Sequence, residues 1–257
     1  MTLSYIVSGF AVGLLVGMTG VGGGSLMTPL LTLLFGVSPS VAVGTDLAFA
    51  SITKSAGTLT HRLRGTIRWD IVKRLCIGAL PAAVVSTLAL KSFGTVSPEI
   101  GQIIRYSIAG SVLLTVVALI FKGRMLNWIN AHPEKQLQGN KLAAATIISG
   151  AVLGVLVTVS SIGAGAIGAT LLVMLYPRMS SAEVAGTDIA YAVPLTAIAA
   201  LGHWWLGSIH WELLISLLIG SLPGITLGSW VARSVPEKFL RVLLAMTLTT
   251  VAVKLIY

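Results

Sequence analysis

The stretch that decides the fold runs from Gly20-Val21-Gly22-Gly23-Gly24 to Gly44-Thr45-Asp46. A second copy occurs further along the chain, with Gly186-Thr187-Asp188 lying 142 positions later, behind the break Ser161-Ile162-Gly163-Ala164-Gly165. Later residues match at the same spacing: His61, Gly65, Ile67, Trp69, Gly78 and Pro81 correspond to His203, Gly207, Ile209, Trp211, Gly220 and Pro223. A duplicated apolar unit with matching interruptions is typical of secondary transporters.

Composition places the chain in a membrane. The 257 residues are 55% hydrophobic and only 10% charged, whereas soluble domains carry about 25% charged residues. Apolar runs such as 103–121 and 142–159 are too long for a soluble domain of this size to bury, so we expect a polytopic membrane protein. The net charge of +9 fits loops on the cytoplasmic side, which collect Lys and Arg, and we expect no nucleic-acid partner.

Ten apolar segments predict an all-α protein with five segments in each half. They fall at about 3–19, 25–35, 40–61, 70–92, 101–121, 142–160, 166–176, 182–206, 211–233 and 238–257. The polar residues 122–141 divide the chain into an N-terminal repeat, 1–121, a cytoplasmic linker, and a C-terminal repeat, 142–257. Together they form a single transmembrane domain without a soluble part.

The second and seventh segments are too short to cross a bilayer. The apolar residues 26–35 and 167–176 would each form a helix about 15 Å long, against a hydrocarbon core about 30 Å thick. Each follows its Gly-rich break directly. We therefore expect two half-helices that begin inside the membrane, where irregular backbone is tolerated beside protein or a watery cavity.

The distribution of positive charge predicts that the two halves are inverted. Basic residues cluster at 62–74 and again in the linker, and two spans separate these clusters, so both are placed on the cytoplasmic side. The second-half counterpart of the first cluster, 204–210, contains no Lys or Arg, and one span separates it from a third basic cluster at 233–241. Equivalent loops therefore face opposite sides, as in an inverted repeat with its axis in the membrane plane.

The Gly-rich breaks are candidate anion sites. A helix N-terminus presents unpaired N–H groups and a partial positive charge, and glycine lets a ligand approach the main chain. The candidate substrate-binding residues here are Gly22, Gly23, Gly24 and Ser25 in the first copy and Ser161, Gly163 and Gly165 in the second. The alternative is that these glycines only allow helices to pack closely.

Several ionisable residues lie within apolar segments, where they are costly and usually functional. Asp46 and Asp188 are candidates for coupling to protons or cations, or for orienting the breaks; the alternative is a purely structural acceptor of backbone N–H groups. Lys54 is a candidate counter-ion for the substrate, or else a partner of an aspartate or a snorkelling side chain. His61 and His203 end their segments and are expected to be structural or to act in gating.

The sequence contains no Cys/His/carboxylate cluster with the spacing of metal ligands and no nucleophile–base pair. We therefore expect no cofactor, no metal and no enzymatic activity. An intramembrane enzyme or an assembly subunit is the less favoured class.

Taken together, these residues resemble the sulfite exporter TauE/SafE family, also called the transporters of small sulfur-containing anions. The resemblance rests on Gly-Val-Gly-Gly-Gly at 20–24, Pro29, Gly44-Thr45-Asp46, Thr53-Lys54, His61 and Gly65, and covers roughly 9–91 and 150–233. It implies a carrier in the plasma membrane of a prokaryote, without a prosthetic group, for sulfite, thiosulfate or organosulfonates such as sulfoacetate. The second half departs from this pattern at Ser161, Thr170 and Thr196, which predicts an asymmetric site.

We therefore expect a secondary transporter that holds a small sulfur anion between the two breaks, against Lys54, and works by alternating access. Protons are the candidate coupling ion, and the bilayer is the other partner. The alternatives are a passive small-anion channel and a carrier of small carboxylates without sulfur.

Overall fold

The computed structural model describes residues 2–19, 24–92, 98–132 and 136–231, together with 246, 248–250 and 253–254. Within these ranges the regular structure is entirely helical. The helices are α1 Thr2–Thr19, α2 Gly24–Phe35, α3 Pro39–Leu63, α4 Trp69–Ser92, α5 Pro98–Ala131, α6 Gly139–Ser160, α7 Ala166–Leu175, α8 Ser181–Trp205 and α9 Trp211–Val231. They coincide with nine of the ten predicted segments, and the tenth, 238–257, lies mostly outside the described residues.

Five of these helices are long and apolar enough to cross a membrane, by length and composition: Trp69–Ser92, Gly101–Ala131, Gly139–Ser160, Ser181–Trp205 and Trp211–Gly228. Large apolar side chains on their outer faces are exposed, among them Val85, Ile103, Ile148, Ile219 and Trp230. An apolar exterior of this kind suits lipid rather than water. The chain is therefore a multi-pass, all-helical membrane protein.

Two helices are short, as the sequence predicts. α2 has 12 residues and α7 has 10, which at 1.5 Å per residue makes them about 18 and 15 Å long. α5, in contrast, is longer than its apolar segment and continues through the first half of the polar linker to Ala131. The sequence up to this point has few helix breakers, and Pro133 then disfavours helix in the residue before it.

α1 packs along α9 in the same direction, through glycines. Gly9 lies against the backbone of Leu217, and Gly13 lies against the backbone of Ser221. Because both residue numbers rise together, the two helices are parallel. A Cβ on either glycine would overlap the partner backbone, so this face allows only glycine at these positions.

α6 packs along α4 with the same geometry. Gly150 lies against Leu75 and Gly154 lies against Ala79. Gly150 and Gly154 are the equivalents of Gly9 and Gly13, at a shift of 141 positions. Leu75 and Ala79 are the equivalents of Leu217 and Ser221, at a shift of 142 positions. The first helix of each half thus packs on the fourth helix of the other half.

α3 and α8 cross at the centre and are antiparallel. Gly44, near the start of α3, lies against Ser208 just after the end of α8. Gly186, near the start of α8, lies against Thr66 just after the end of α3. The two contacts are again related by a shift of 142 positions. Both helices are extensively buried, which sets Asp46 and Lys54 of α3 and Asp188 and His203 of α8 in the interior.

Candidate functional site

The first-half break lies largely outside what the structure describes. Gly22 and Gly23 fall in the undescribed residues 20–23, so their predicted role stays a prediction. Gly24 is the first residue of α2, and Ser25 follows it within the helix, where only its backbone is described. The contribution of Ser25 to a site therefore also remains a prediction.

The second-half break is described in full and is buried from 161 to 168. Ser161 ends α6 in the left-handed conformation, with φ of 58°. Gly163 and Gly165 have φ values of 139° and 125°, which L-residues with a side chain rarely adopt. These two glycines are therefore required by the backbone, whichever ligand the break holds.

α7 begins at the end of this break without a side-chain cap, because its N-cap residue is Gly165. The amide of Ala169 donates to the Gly165 carbonyl at 2.9 Å. In the described part of the chain, the amides of Ala166 and Ile167 meet no acceptor. The helix therefore offers free N–H groups and the positive end of its dipole at a buried position.

Lys54 reaches this break from the first half of the chain. Its side chain projects from α3, the residue is 7% exposed, and Nζ donates to the Ala164 carbonyl at 3.3 Å. Asp188 and Asp46 both lie near enough to attract the ammonium, yet no ion pair with it forms among the described residues. The ammonium is thus held beside the break by one neutral acceptor.

Asp46 faces the half-helix of its own repeat. It is fully buried in α3, and its Oδ2 accepts a hydrogen bond from the Thr28 hydroxyl of α2 at 2.6 Å. The Ser161 hydroxyl of the second break lies beside the same carboxyl. Oδ1 has no hydrogen-bond partner within the described residues. This aspartate is therefore bonded to α2 of the first half and lies beside the break of the second.

Asp188 occupies the matching position in α8 and is 4% exposed. Its carboxyl lies beside the Gly165 amide and within reach of the Lys54 charge. The structure thus brings Lys54, Asp46 and Asp188 to the break that contains the predicted residues Ser161, Gly163 and Gly165. These residues come from both halves of the sequence.

The two histidines have contacts of their own. His203 is buried, and its Nε2 lies 2.9 Å from the Thr158 carbonyl in the last turn of α6, so Nε2 carries the hydrogen. His61 is half-buried and pairs through Nδ1 with the Thr66 hydroxyl at 2.8 Å. Neither contact involves a residue of the break, and a gating role for these side chains stays a prediction.

Sequence reasoning missed the threonine of each Gly-Thr-Asp motif. The Thr187 hydroxyl accepts from the Arg68 amide at 3.1 Å, and the Thr45 hydroxyl accepts from the His210 amide at 3.1 Å. Each threonine therefore binds the residue that precedes the fourth helix of the other half. The signal available in the sequence was the exact repetition of Gly-Thr ahead of each aspartate.

Over the residues that the structure describes, no three His, Cys, Asp or Glu side chains lie close enough together to hold a metal ion. The polar groups at the break are instead an ammonium, amides, a hydroxyl and two carboxyls. Such a set can bind a small anion and exchange protons.

The comparisons with known proteins agree with this membrane architecture. The family model for the sulfite exporter TauE/SafE matches residues 5–255. Among similar proteins are the probable membrane transporter protein YjnA of Bacillus subtilis (strain 168), 34% identical over 100% of both chains, and YdhB of the same strain, a probable membrane transporter protein 26% identical over 93% of both. A probable membrane transporter protein of Xylella fastidiosa (strain Temecula1) is 26% identical over 88% of this chain and 83% of its own.

No solved structure matches the chain. The match of the family model over nearly the whole length, together with a relative 34% identical from end to end, is sufficient to assign the family. The chain belongs to the sulfite exporter TauE/SafE family of membrane transporters.

Proposed function

We propose that the protein is a secondary transporter that carries small sulfur-containing anions across the plasma membrane by alternating access, with protons as the coupling ion. Sulfite, thiosulfate and organosulfonates such as sulfoacetate are the substrate class that the family name suggests. The observation that carries the proposal is the buried Lys54 ammonium, held beside the N-terminus of α7 by a single backbone carbonyl.

Burying an ammonium without an ion pair is energetically unfavourable, and a bound anion would offset much of the desolvation free energy. Lys54 has three N–H donors, of which the described residues engage one. The Ser161 hydroxyl has no hydrogen-bond partner in the described chain, and the first amides of α7 are free there as well. These donors are suited to the oxygens of a small oxyanion.

The carboxyls support proton coupling. Asp46, Asp188 and Lys54 would together carry a charge of −1 if all three were ionised, and that charge would repel an incoming anion. One proton on either carboxyl removes this net negative charge. We therefore infer that the anion and a proton occupy the site together.

We further infer that residues 1–121 and 142–257 are inverted repeats joined by a cytoplasmic linker, 122–141. Support comes from the antiparallel crossing of the equivalent helices α3 and α8 and from the matching α1–α9 and α6–α4 contacts. The asymmetric distribution of basic residues gives the same arrangement. In transporters built in this way, one repeat or bundle rocks against the other around a central site.

The direct test is flux in proteoliposomes. The purified protein is reconstituted and supplied with sulfite, thiosulfate, sulfoacetate and, as comparison, acetate, with and without a pH gradient. We expect saturable uptake of the sulfur anions that a pH gradient accelerates. Currents large enough for single-channel recording would contradict a carrier, and preference for acetate would contradict the substrate class.

A substitution of Lys54 tests separately whether this residue is the counter-ion of the anion. We expect Lys54→Ala to weaken binding of sulfite or thiosulfate about 30-fold or more, because loss of one partner of a buried charge pair costs roughly 2–5 kcal/mol. Lys91→Ala is the matched control, because Lys91 is an exposed residue at the end of α4. Its ammonium lies 3.3 Å from the centroid of the Trp205 ring at the end of α8. Wild-type affinity in purified Lys54→Ala would rule out the counter-ion role.

A further inference from the structure

The two buried aspartates have different surroundings, although they occupy matching positions. Asp46 accepts from the Thr28 hydroxyl of its own half-helix at 2.6 Å. The position equivalent to Thr28 in α7 is Ala169, which has no hydroxyl. Asp188 therefore lacks the partner that holds Asp46, and its Oδ1 has no hydrogen-bond partner within the described residues.

A tyrosine stands beside Asp188 instead. Tyr191 is three residues further along α8, on the same face of the helix, and it is fully buried. Its hydroxyl, like Asp188 Oδ1, meets no hydrogen-bond partner in the part of the chain that is described. Both atoms lie within 2.9 Å of the point that a Cβ on Gly168 would occupy. The phenol and the carboxyl thus converge on the first turn of α7.

The first half has no such pair. The equivalents of Tyr191 and Gly168 are Phe49 and Met27, both buried and both without a hydroxyl. A phenyl ring at this position is therefore compatible with the packing of the repeat. The Tyr191 hydroxyl is an addition to the second half that core packing does not require.

A buried hydroxyl without a partner is unfavourable, and native proteins pair nearly all such groups. Asp188 Oδ1 also lacks a donor, and it lies with the phenol oxygen around the same point beside Gly168. We propose that Tyr191 is a positioning residue that donates a hydrogen bond to Asp188 in the substrate-free carrier, and that Asp188, rather than Asp46, is the carboxyl through which pH acts on anion transport.

Other titratable groups face this pair from the helices packed around it. Lys54 from α3 and Lys122 from α5 act on Asp188, and Cys76 from α4 acts on Tyr191. α7 contains no titratable side chain, and the only one in α6 is Lys141, in its first turn. Asp46 acts on the pair through Lys54. The Tyr191 hydroxyl is suited to move its hydrogen bond from the carboxyl to a bound anion.

This inference rests on the proposed proton-coupled transport. When an anion takes the Tyr191 hydrogen bond, Asp188 loses a donor and binds a proton from water more readily. On release of the anion, the hydroxyl returns to Asp188 and the proton leaves. Substrate and proton would in this way enter and leave the site together.

The test is the pH dependence of thiosulfate uptake in proteoliposomes, because thiosulfate does not titrate near neutral pH. We expect Tyr191→Phe to shift the midpoint upward by about one pH unit, as a carboxyl without a donor holds its proton to higher pH. Asp188→Asn should abolish the pH dependence of uptake. Asp46→Asn should keep the wild-type midpoint, whatever its rate of uptake. An unchanged midpoint in Tyr191→Phe, or loss of the dependence in Asp46→Asn, overturns the inference.

Infrared difference spectroscopy separates this inference from the proposed function. The carboxyl C=O band of purified protein is recorded across the same pH series without substrate. We expect one band that titrates, disappears in Asp188→Asn and shifts in Tyr191→Phe, but persists in Phe49→Tyr, which places a hydroxyl in the other half. A wild-type protein that shows this band yet neither binds nor carries thiosulfate contradicts the proposed substrate class and leaves the pair in place. A band that does not respond to Tyr191→Phe refutes the pairing.

Discussion

Replacing Gly220 with alanine should loosen the contact between α1 and α9. A Cβ there would overlap the Ile6 carbonyl and lie 2.8 Å from the Phe10 amide, and backbone atoms cannot turn aside as a flexible side chain can. The two helices must separate along this line, which for overpacking of a tight interface costs roughly 1–3 kcal/mol. Gly78→Ala should cost about the same, because Gly78 makes the equivalent contact with α6.

Reversible unfolding of the purified protein in mixed micelles measures the free energy of unfolding of each variant. Gly110→Ala is the matched control, since Gly110 lies on an exposed face of α5 where a Cβ meets nothing within 4 Å. We expect that control to be neutral or stabilising by at most about 1 kcal/mol, the difference in helix propensity. If Gly220→Ala and Gly110→Ala unfold alike, the close α1–α9 contact is wrong. If Gly78→Ala alone is destabilised, the equivalence of the two contacts is wrong.

Two other substitutions test buried hydrogen bonds by the same measurement. Thr187→Val should lower the free energy of unfolding by about 1–3 kcal/mol, because it leaves the Arg68 amide without its acceptor. Thr187→Ser should retain most of the wild-type stability. A valine variant as stable as wild type would show that the bond contributes nothing. His203→Leu should cost a similar amount through its buried contact with Thr158. His61→Leu should cost less, because that ring is half-buried and pairs with Thr66 in the adjacent loop. Equal losses would contradict the difference in burial.

Helix positions were accessible from sequence because apolar length and glycine breaks mark them directly. α3 starts at Pro39, one residue before the predicted segment, and proline suits the first helical turn; Ser38 occupies the N-cap position, although its side chain makes no capping hydrogen bond. The start of α8 is also predicted to within one residue, but the reciprocal capping box that Ser180 and Glu183 form there went unrecognised. The extension of α5 to Ala131 was missed because polarity ends an apolar segment without ending a helix.

The site was only partly accessible, for a different reason. Asp46, Asp188 and Lys54 stand out because ionisable side chains are rare in apolar segments. Which backbone Lys54 meets is a matter of tertiary packing, and its acceptor, Ala164, lies 110 residues away. Tyr191 gave no signal of its own, because an aromatic residue in an apolar helix usually serves packing. Only comparison with Phe49, its counterpart in the first half, singles it out.

The two parallel helix pairs, α1 with α9 and α6 with α4, each join one half of the chain to the other, and this has a consequence for biosynthesis. During translation α1 enters the bilayer long before α9 exists, so its glycine-lined face must wait beside lipid for its partner. Neither half can complete its own packing, because the first helix of each is covered by the fourth helix of the other. Assembly is therefore non-local, a feature that slows folding. Two halves synthesised as separate chains would each be left with an unfilled groove that only the other half fits.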